Sequence, residues 1–154
     1  MSDPPLILVD ADACPVKEEI YKVAFRHDVK VTLVTNQHLR VPPHPLIERV
    51  TVGSGFDAAD DHIAELTAPG AVVITADILL ADRCLKAGAA AVLSPTGKPF
   101  TPASIGGAIA IRAIMADLRA GMGEGLGGPA PFSKTDRSRF LQALDEALVR
   151  AKRG

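Results

Sequence analysis

The stretch that decides the fold is Leu6-Ile7-Leu8-Val9-Asp10-Ala11-Asp12-Ala13-Cys14-Pro15-Val16-Lys17. Four consecutive apolar residues, too few for a helix of ordinary length, read as a buried strand that stops at Asp10. Pro15 then suits the first turn of a helix, and Val16, Ile20, Val23 and Ala24 fall on one face of it. A fully apolar strand followed at once by an amphipathic helix is the opening of a β-α-β unit, whose strands are parallel and covered on both faces.

The same alternation continues outward. Lys30 to Val34 forms a second strand, and Asn36 to Pro45 a loop with prolines at 42, 43 and 45. Arg49 to Val52 reads as a third strand. The Gly-Ser-Gly turn at 53–55 opens a helix whose stripe includes Phe56, Ile63 and Leu66. Val72 to Thr75 is a fourth strand. Asp77 begins a helix through Leu79, Leu80, Cys84 and Leu85 that Gly88 stops, and Ala91 to Leu93 is a fifth strand. The pattern predicts a three-layer α/β fold around a mainly parallel, five-stranded, Rossmann-like sheet with right-handed crossovers. After Ser94 the strand pattern ends. Residues 102–120 carry helical spacing at Ile105, Ile109, Ile111, Met115 and Leu118. Segment 121–131 is rich in Gly and Pro, and 135–152 carry a last helix with Phe140, Leu141, Leu144 and Leu148. No repeat or second domain is visible. The expectation is one domain over 1–154, with an α/β core over 1–97 and a helical tail over 98–154.

Composition bounds the function. The chain has 154 residues, 47% hydrophobic and 23% charged, the balance of an ordinary globular domain rather than a disordered one. No apolar run is long enough to span a bilayer, and the start Met1-Ser2-Asp3-Pro4-Pro5 has no basic region of the signal-peptide kind. A cytoplasmic protein without a membrane partner is expected. Two cysteines make no disulfide framework and a poor zinc set, so no disulfide-linked partner is expected. With five Phe, one Tyr and no Trp, a broad platform for stacking single-stranded bases is excluded. The net charge of −1 hides an asymmetry: 13 acidic and 8 basic residues lie in 1–97, but 5 acidic and 9 basic in 98–154. An acidic pocket beside a basic flap, or two helix sets that pair electrostatically, would both give this split.

The chemistry lies in aspartates at strand ends. Asp10 and Asp12 follow the first strand, Asp57, Asp60 and Asp61 the third, and Asp77 the fourth. In an open parallel sheet the carboxyl ends of the strands share one edge, where ligands bind. Two like charges ~4 Å apart repel by about 4 kcal/mol at an effective dielectric near 20. Protons or a cation must offset that. Carboxylates plus waters suit Mg²⁺ or Mn²⁺. Each aspartate taken alone reads first as a helix cap: Asp12 for the helix at Pro15, Asp57 and Asp60 for the next, Asp77 for its own. Their shared edge is what capping does not require, because Asn, Ser and Thr cap as well.

Other candidates are weaker. Cys14 sits at a helix start, which lowers a thiol pKa, but it has no partner in sequence and reads as a small buried residue. Cys84 reads as core. His27, His38, His44 and His62 show no metal-ligand spacing. The glycines of 121–128 follow a helix and lack the Gly-Lys-Ser/Thr ending of a phosphate loop. In the tail, Arg112 and Arg119 are seven apart, and Lys134, Arg137 and Arg139 follow the Gly-rich segment. They are phosphate-binding candidates, since Arg matches phosphate bidentately, and equally plain surface charge.

The string Asp10-Ala-Asp-Ala-Cys-Pro-Val-Lys17 resembles the bacterial YaiI/YqxD family. The likeness continues through Asn36-Gln37, Arg40-Val-Pro-Pro43, Gly55-Phe-Asp-Ala-Ala-Asp60, Val73-Ile-Thr-Ala-Asp-Ile78, Leu118-Arg119, Gly127-Gly-Pro129 and Asp136-Arg137. It covers nearly the whole chain. Leu79 stands where the family often has Pro, and Ala113 where an acid often follows the Arg at 112. The family is similar to PIN-like and NYN-like nuclease domains. The resemblance therefore implies a PIN-like fold and a divalent-metal-dependent nuclease that hydrolyses phosphodiesters of RNA. Carried over by position, Asp10, Asp12, Asp57, Asp60 and Asp77 would be the metal ligands, with Asp10, Asp12, Asp60 and Asp77 catalytic and Asn36 in support. Two alternatives stand beside it. One is a non-catalytic RNA- or protein-binding module. The other is a haloacid-dehalogenase-type phosphatase with Asp10 as nucleophile, Asp12 as acid, Thr35-Asn36 as second motif, and Asp77 with Asp82 as metal motif.

Overall fold

The computed structural model describes residues 4–53, 55, 57–107, 109–111 and 132–153. Strand β1 (Leu6–Asp10) leads through a 3₁₀ turn (Ala11–Ala13) into α1 (Lys17–His27). There follow β2 (Lys30–Thr35), β3 (Ile47–Thr51), α2 (Ala58–Leu66), β4 (Ala71–Ile74), α3 (Ile78–Lys86) and β5 (Ala91–Leu93). Residues 102–107 form α4, residues 109–111 are also helical, and α5 is Lys134–Arg153.

The five strands form one sheet in the order β3-β2-β1-β4-β5, and every neighbouring pair is parallel. The expected α/β architecture is therefore present, with a sheet that is wholly rather than mainly parallel. The chain winds from β1 outward to β3, then returns to the other side of β1 with β4. The winding direction reverses between β1 and β4, the position where an open parallel sheet leaves a crevice at its carboxyl edge.

Alternation along each strand divides the core into two. Ile7, Val9, Val31, Leu33, Val72 and Ile74 face α1 and α5, packing on Ile20, Val23, Phe140, Leu144 and Leu148. Leu8, Val34 and Val73 face the opposite way, onto Ile63 of α2, Leu80, Ala81 and Cys84 of α3, and Ile105 of α4. All of these side chains are buried, which gives helices, sheet and helices as three layers. Cys14 and Cys84 are both buried and free, and no helix among the described residues is long and apolar enough to cross a membrane.

Helix α1 starts later than Pro15. Cys14 is extended, as the residue before a proline prefers, and the first helical residue is Lys17 behind Val16. Asp12 is thus too far upstream to cap this helix. Helix α2 likewise begins at Ala58, and Leu66 of its expected stripe is 38% exposed. Phe56, Met115, Leu118, Arg112, Arg119 and the Gly-rich segment 121–131 lie outside the described residues.

The tail helix α5 is docked by specific contacts. Arg137 reaches the Pro15 carbonyl oxygen at 2.9 Å and Glu19 Oε1 at 3.0 Å, with its guanidinium 4.9 Å from the Phe132 ring centre. At the far end of α1, His27 Nε2 lies 2.7 Å from Asp145, and Lys152 donates to the His27 carbonyl at 2.7 Å. Gly97, at φ +87°, brings the turn after β5 against the α5 backbone, where a Cβ would stand 2.7 Å from the Arg139 carbonyl carbon.

Candidate active site at the carboxyl edge of the sheet

A cavity of about 530 Å³ opens at the carboxyl edge, lined by Asp10, Asp12, Asn36, Asp57, Ala59, Asp60, Asp77, Leu79, Leu80 and Arg83. All five aspartates singled out as ligands border it, as does Asn36. They arrive from β1 and the turn after it, from the start of α2, and from the start of α3, so the fold brings together carboxylates as much as 67 positions apart (Asp10 to Asp77). A second cavity, of about 510 Å³, lies toward the opposite edge of the sheet. Leu6, Val50, Leu66 and Ala71 make it mostly apolar, and it contains no such carboxylate set.

Two buried threonines hold the acids in place, and they do so in the same way. Thr35 ends β2 and Thr75 directly follows β4, so they flank the end of β1 on either side. Each is 1% exposed. The Thr75 hydroxyl donates to Asp10 Oδ2 at 2.9 Å and accepts the Asp77 N–H at 3.0 Å. The Thr35 hydroxyl donates to Asp12 Oδ1 and accepts the Gln37 N–H at 3.0 Å. The Asn36 N–H donates to the other oxygen of Asp12 at 3.1 Å. A buried hydroxyl needs both a donor and an acceptor partner, and each threonine finds one in its own turn and one in the acidic cluster.

The capping alternative separates the acids. Asp77 does cap α3: its Oδ1 accepts the N–H groups of Leu79 at 2.8 Å and Leu80 at 3.3 Å. Asp57 occupies the cap position of α2 but makes no capping bond through its side chain, and Asp10 makes none on the 3₁₀ turn. Asp60 and Asp61 sit in the first turn of α2, where Asp61 pairs with Arg83 at 3.0 Å.

The electrostatics bear the mark of crowding. Burial pushes the Asp10 carboxyl above the usual carboxylate range; the Thr75 bond opposes that, and the charges of Asp12 and Asp77 add to it. Asp60 is pushed up to about 6, by burial first and then by Asp77, Asp10 and Asp57, against the pull of Arg83. Like charges in one cleft disfavour joint ionisation, and a cation would reverse the effect. Among the described residues, however, no group of three or more His, Cys, Asp or Glu side chains is set to hold a metal ion as it stands. The cluster is an open set of carboxylates, not a closed cage. The chemistry of the donors still fits a hard cation, since Mg²⁺ is usually held by one or two carboxylates and completes its shell with waters and substrate oxygens.

The basic candidates fare differently. Lys134, Arg137 and Arg139 do not border the acidic cavity. Arg137 is engaged by Glu19, and Arg139 lies 3.6 Å from Asp136. Asp82, needed by the phosphatase alternative, pairs with Lys86 at 2.9 Å and also does not border the cavity. Sequence reasoning missed Thr75 and Arg83, and gave Thr35 a place only in that alternative. The available signal was a threonine closing each of two apolar strands, with a turn residue two positions on: Thr35-Asn-Gln37 and Thr75-Ala-Asp77.

Comparison with known proteins agrees with the motif reading. A family model described as "Uncharacterized BCR, YaiI/YqxD family" matches residues 8–150. A UPF0178 protein of Sphingopyxis alaskensis is 75% identical over 150 residues, covering 97% of each chain. Another from Rhodopseudomonas palustris is 63% identical over 147 residues, 96% of this chain and 92% of its own. One from Jannaschia is 60% identical over 148 residues, 96% of this chain and 94% of its own. No solved structure matches the chain. With the match running from β1 into α5, the chain belongs to the YaiI/YqxD family.

Proposed function

We propose that the protein is a Mg²⁺- or Mn²⁺-dependent phosphodiesterase acting on RNA, with its site in the carboxyl-edge cavity. One observation carries the reading: Asp10, Asp60 and Asp77, from three separate segments, border one cavity, where burial and the neighbouring acids, Asp77 among them, raise the proton affinity of Asp10 and Asp60. Such an arrangement costs stability, and a divalent cation offsets that cost.

Asp10, Asp60 and Asp77 are the residues that would hold the ion, with Asp12 and Asp57 at its periphery. When bound, the ion supplies a polarised phosphoryl oxygen and a water of lowered pKa. The chain's own groups do the rest. Thr75 fixes Asp10, leaving the second carboxylate oxygen for coordination. The caps on Asp77 Oδ1 orient that side chain in the same manner. Asp12 has both oxygens engaged by the end of β2, so its role is to set the charge and shape of the floor. Asp60, raised to about 6 in the metal-free cleft, is the carboxyl whose proton a bound ion would displace. The test is cleavage of single-stranded RNA by the purified protein in Mn²⁺, with Asp10→Asn as the paired variant. Cleavage that disappears in the variant supports the assignment. No cleavage by the wild type, or unchanged cleavage by the variant, rejects it.

A further inference from the structure

The acidic cavity has one wall of a different kind. Leu79 and Arg83 are four residues apart on α3 and so share a helix face, and both border the cavity. Leu79 is 52% exposed, although large apolar side chains on this helix are otherwise mostly covered. Among the described residues bordering the cavity, Arg83 is the one cationic side chain, beside five carboxylates. Among the described residues it pairs with Asp61 alone, at 3.0 Å, and the two side chains are 45% and 57% exposed. An exposed pair of this kind contributes little and exchanges readily.

A polyanion approaching this cleft meets net negative charge. A cation at the floor neutralises one phosphate but not its neighbours along the chain. From this geometry we infer that Arg83 is the receptor for a phosphate flanking the scissile one, exchanging Asp61 for the phosphate when an oligonucleotide binds. The guanidinium presents a planar fork that suits two phosphate oxygens. Leu79, one turn nearer Asp77, supplies an apolar shelf for the sugar or base between the two phosphates. This assignment rests on the phosphodiesterase reading and names the part of the substrate that the site grips beyond the reacting bond. It also makes Asp61 a competitor for Arg83 rather than a ligand, which agrees with its absence from the residues that border the cavity.

The test is binding of a short fluorescein-labelled single-stranded RNA, followed by anisotropy in Ca²⁺ over a series of salt concentrations. Arg83→Gln should weaken binding about tenfold and lower the salt slope by about one, the signature of one lost phosphate contact. Arg83→Lys should recover part of the affinity, and Asp61→Asn should tighten binding. Lys86→Gln removes the same charge one turn away, from a residue that pairs with Asp82 outside the cavity, and should bind within about twofold of wild type. Wild-type binding by Arg83→Gln, equal losses in the Arg83→Gln and Lys86→Gln variants, or no RNA binding by the wild type overturns the inference. Because binding is read without turnover, a protein that grips RNA through Arg83 yet cuts nothing in Mn²⁺ rejects the hydrolase reading and keeps Arg83 only as a phosphate receptor, with no scissile neighbour.

Discussion

The Thr75 hydroxyl donates to Asp10 Oδ2 at 2.9 Å while it accepts the Asp77 N–H at 3.0 Å, so one buried side chain ties the Asp10 carboxylate to the backbone that carries Asp77. Its position just after β4, beside the end of β1, places this link at the point where the sheet's winding reverses.

Replacing Thr75 by Val keeps the volume and removes the hydroxyl. The Asp10 carboxyl then loses the one bond that holds its proton affinity down. The variant is expected to lose about 1 kcal/mol of stability and roughly 10- to 100-fold in Mn²⁺ affinity, as supporting partners of metal ligands usually do. Thr75→Ser should restore most of the metal affinity. Isothermal titration with Mn²⁺ alongside urea unfolding reads both effects. A Val variant with wild-type Mn²⁺ affinity would separate Thr75 from the site.

Asp60 makes the cluster pH-dependent. Its carboxyl is raised from 3.8 to about 6 in the folded chain, so the folded state holds a proton that the unfolded state has released. The associated stabilisation is full below about pH 4 and is lost as pH rises through 6. Asp60→Asn should therefore stabilise the metal-free protein at pH 7.5 by on the order of 1 kcal/mol, after allowance for solvent screening, and have little effect at pH 4. The same proton competes with a cation, so Mn²⁺ affinity should fall by about tenfold per pH unit below 6. Thermal melts and titrations at several pH values decide it; a pH-independent effect of Asp60→Asn removes the coupling on which the site is built.

Arg137 tests the opposite kind of role. It joins α5 to the start of α1 through Glu19, whose side chain is only 13% exposed and whose buried Oε2 has no partner among the described residues. Arg137→Ala would leave that carboxylate unpaired and should cost about 1–3 kcal/mol of stability. If Arg137 instead serves RNA binding, the variant will lose RNA affinity while its unfolding midpoint in urea stays put.

Much of this was legible in the sequence, for identifiable reasons. The apolar runs at Leu6–Val9 and Ala91–Leu93 are too short for helices, so strands were the one reading, and strand ends in a parallel sheet must share an edge. That logic brings Asp10, Asp12 and Asp77 to one edge, where they border one cavity. Thr35 and Thr75 were hidden because a β-branched residue closing a strand looks like filler; their hydroxyls matter through partners 23 and 65 positions away. Arg83 was hidden because a cation on an amphipathic helix reads as solvated surface. Arg137 looked like a phosphate ligand because Glu19, 118 positions upstream, leaves no trace in the local pattern.

The most direct measurement is a crystal of the protein soaked in Mn²⁺, read by anomalous scattering. The account predicts a peak within coordination distance of Asp10 and at least one of Asp60 and Asp77, and its loss in Asp10→Asn crystals. A cavity that stays without metal at saturating Mn²⁺, or a peak that ignores Asp10, would contradict it.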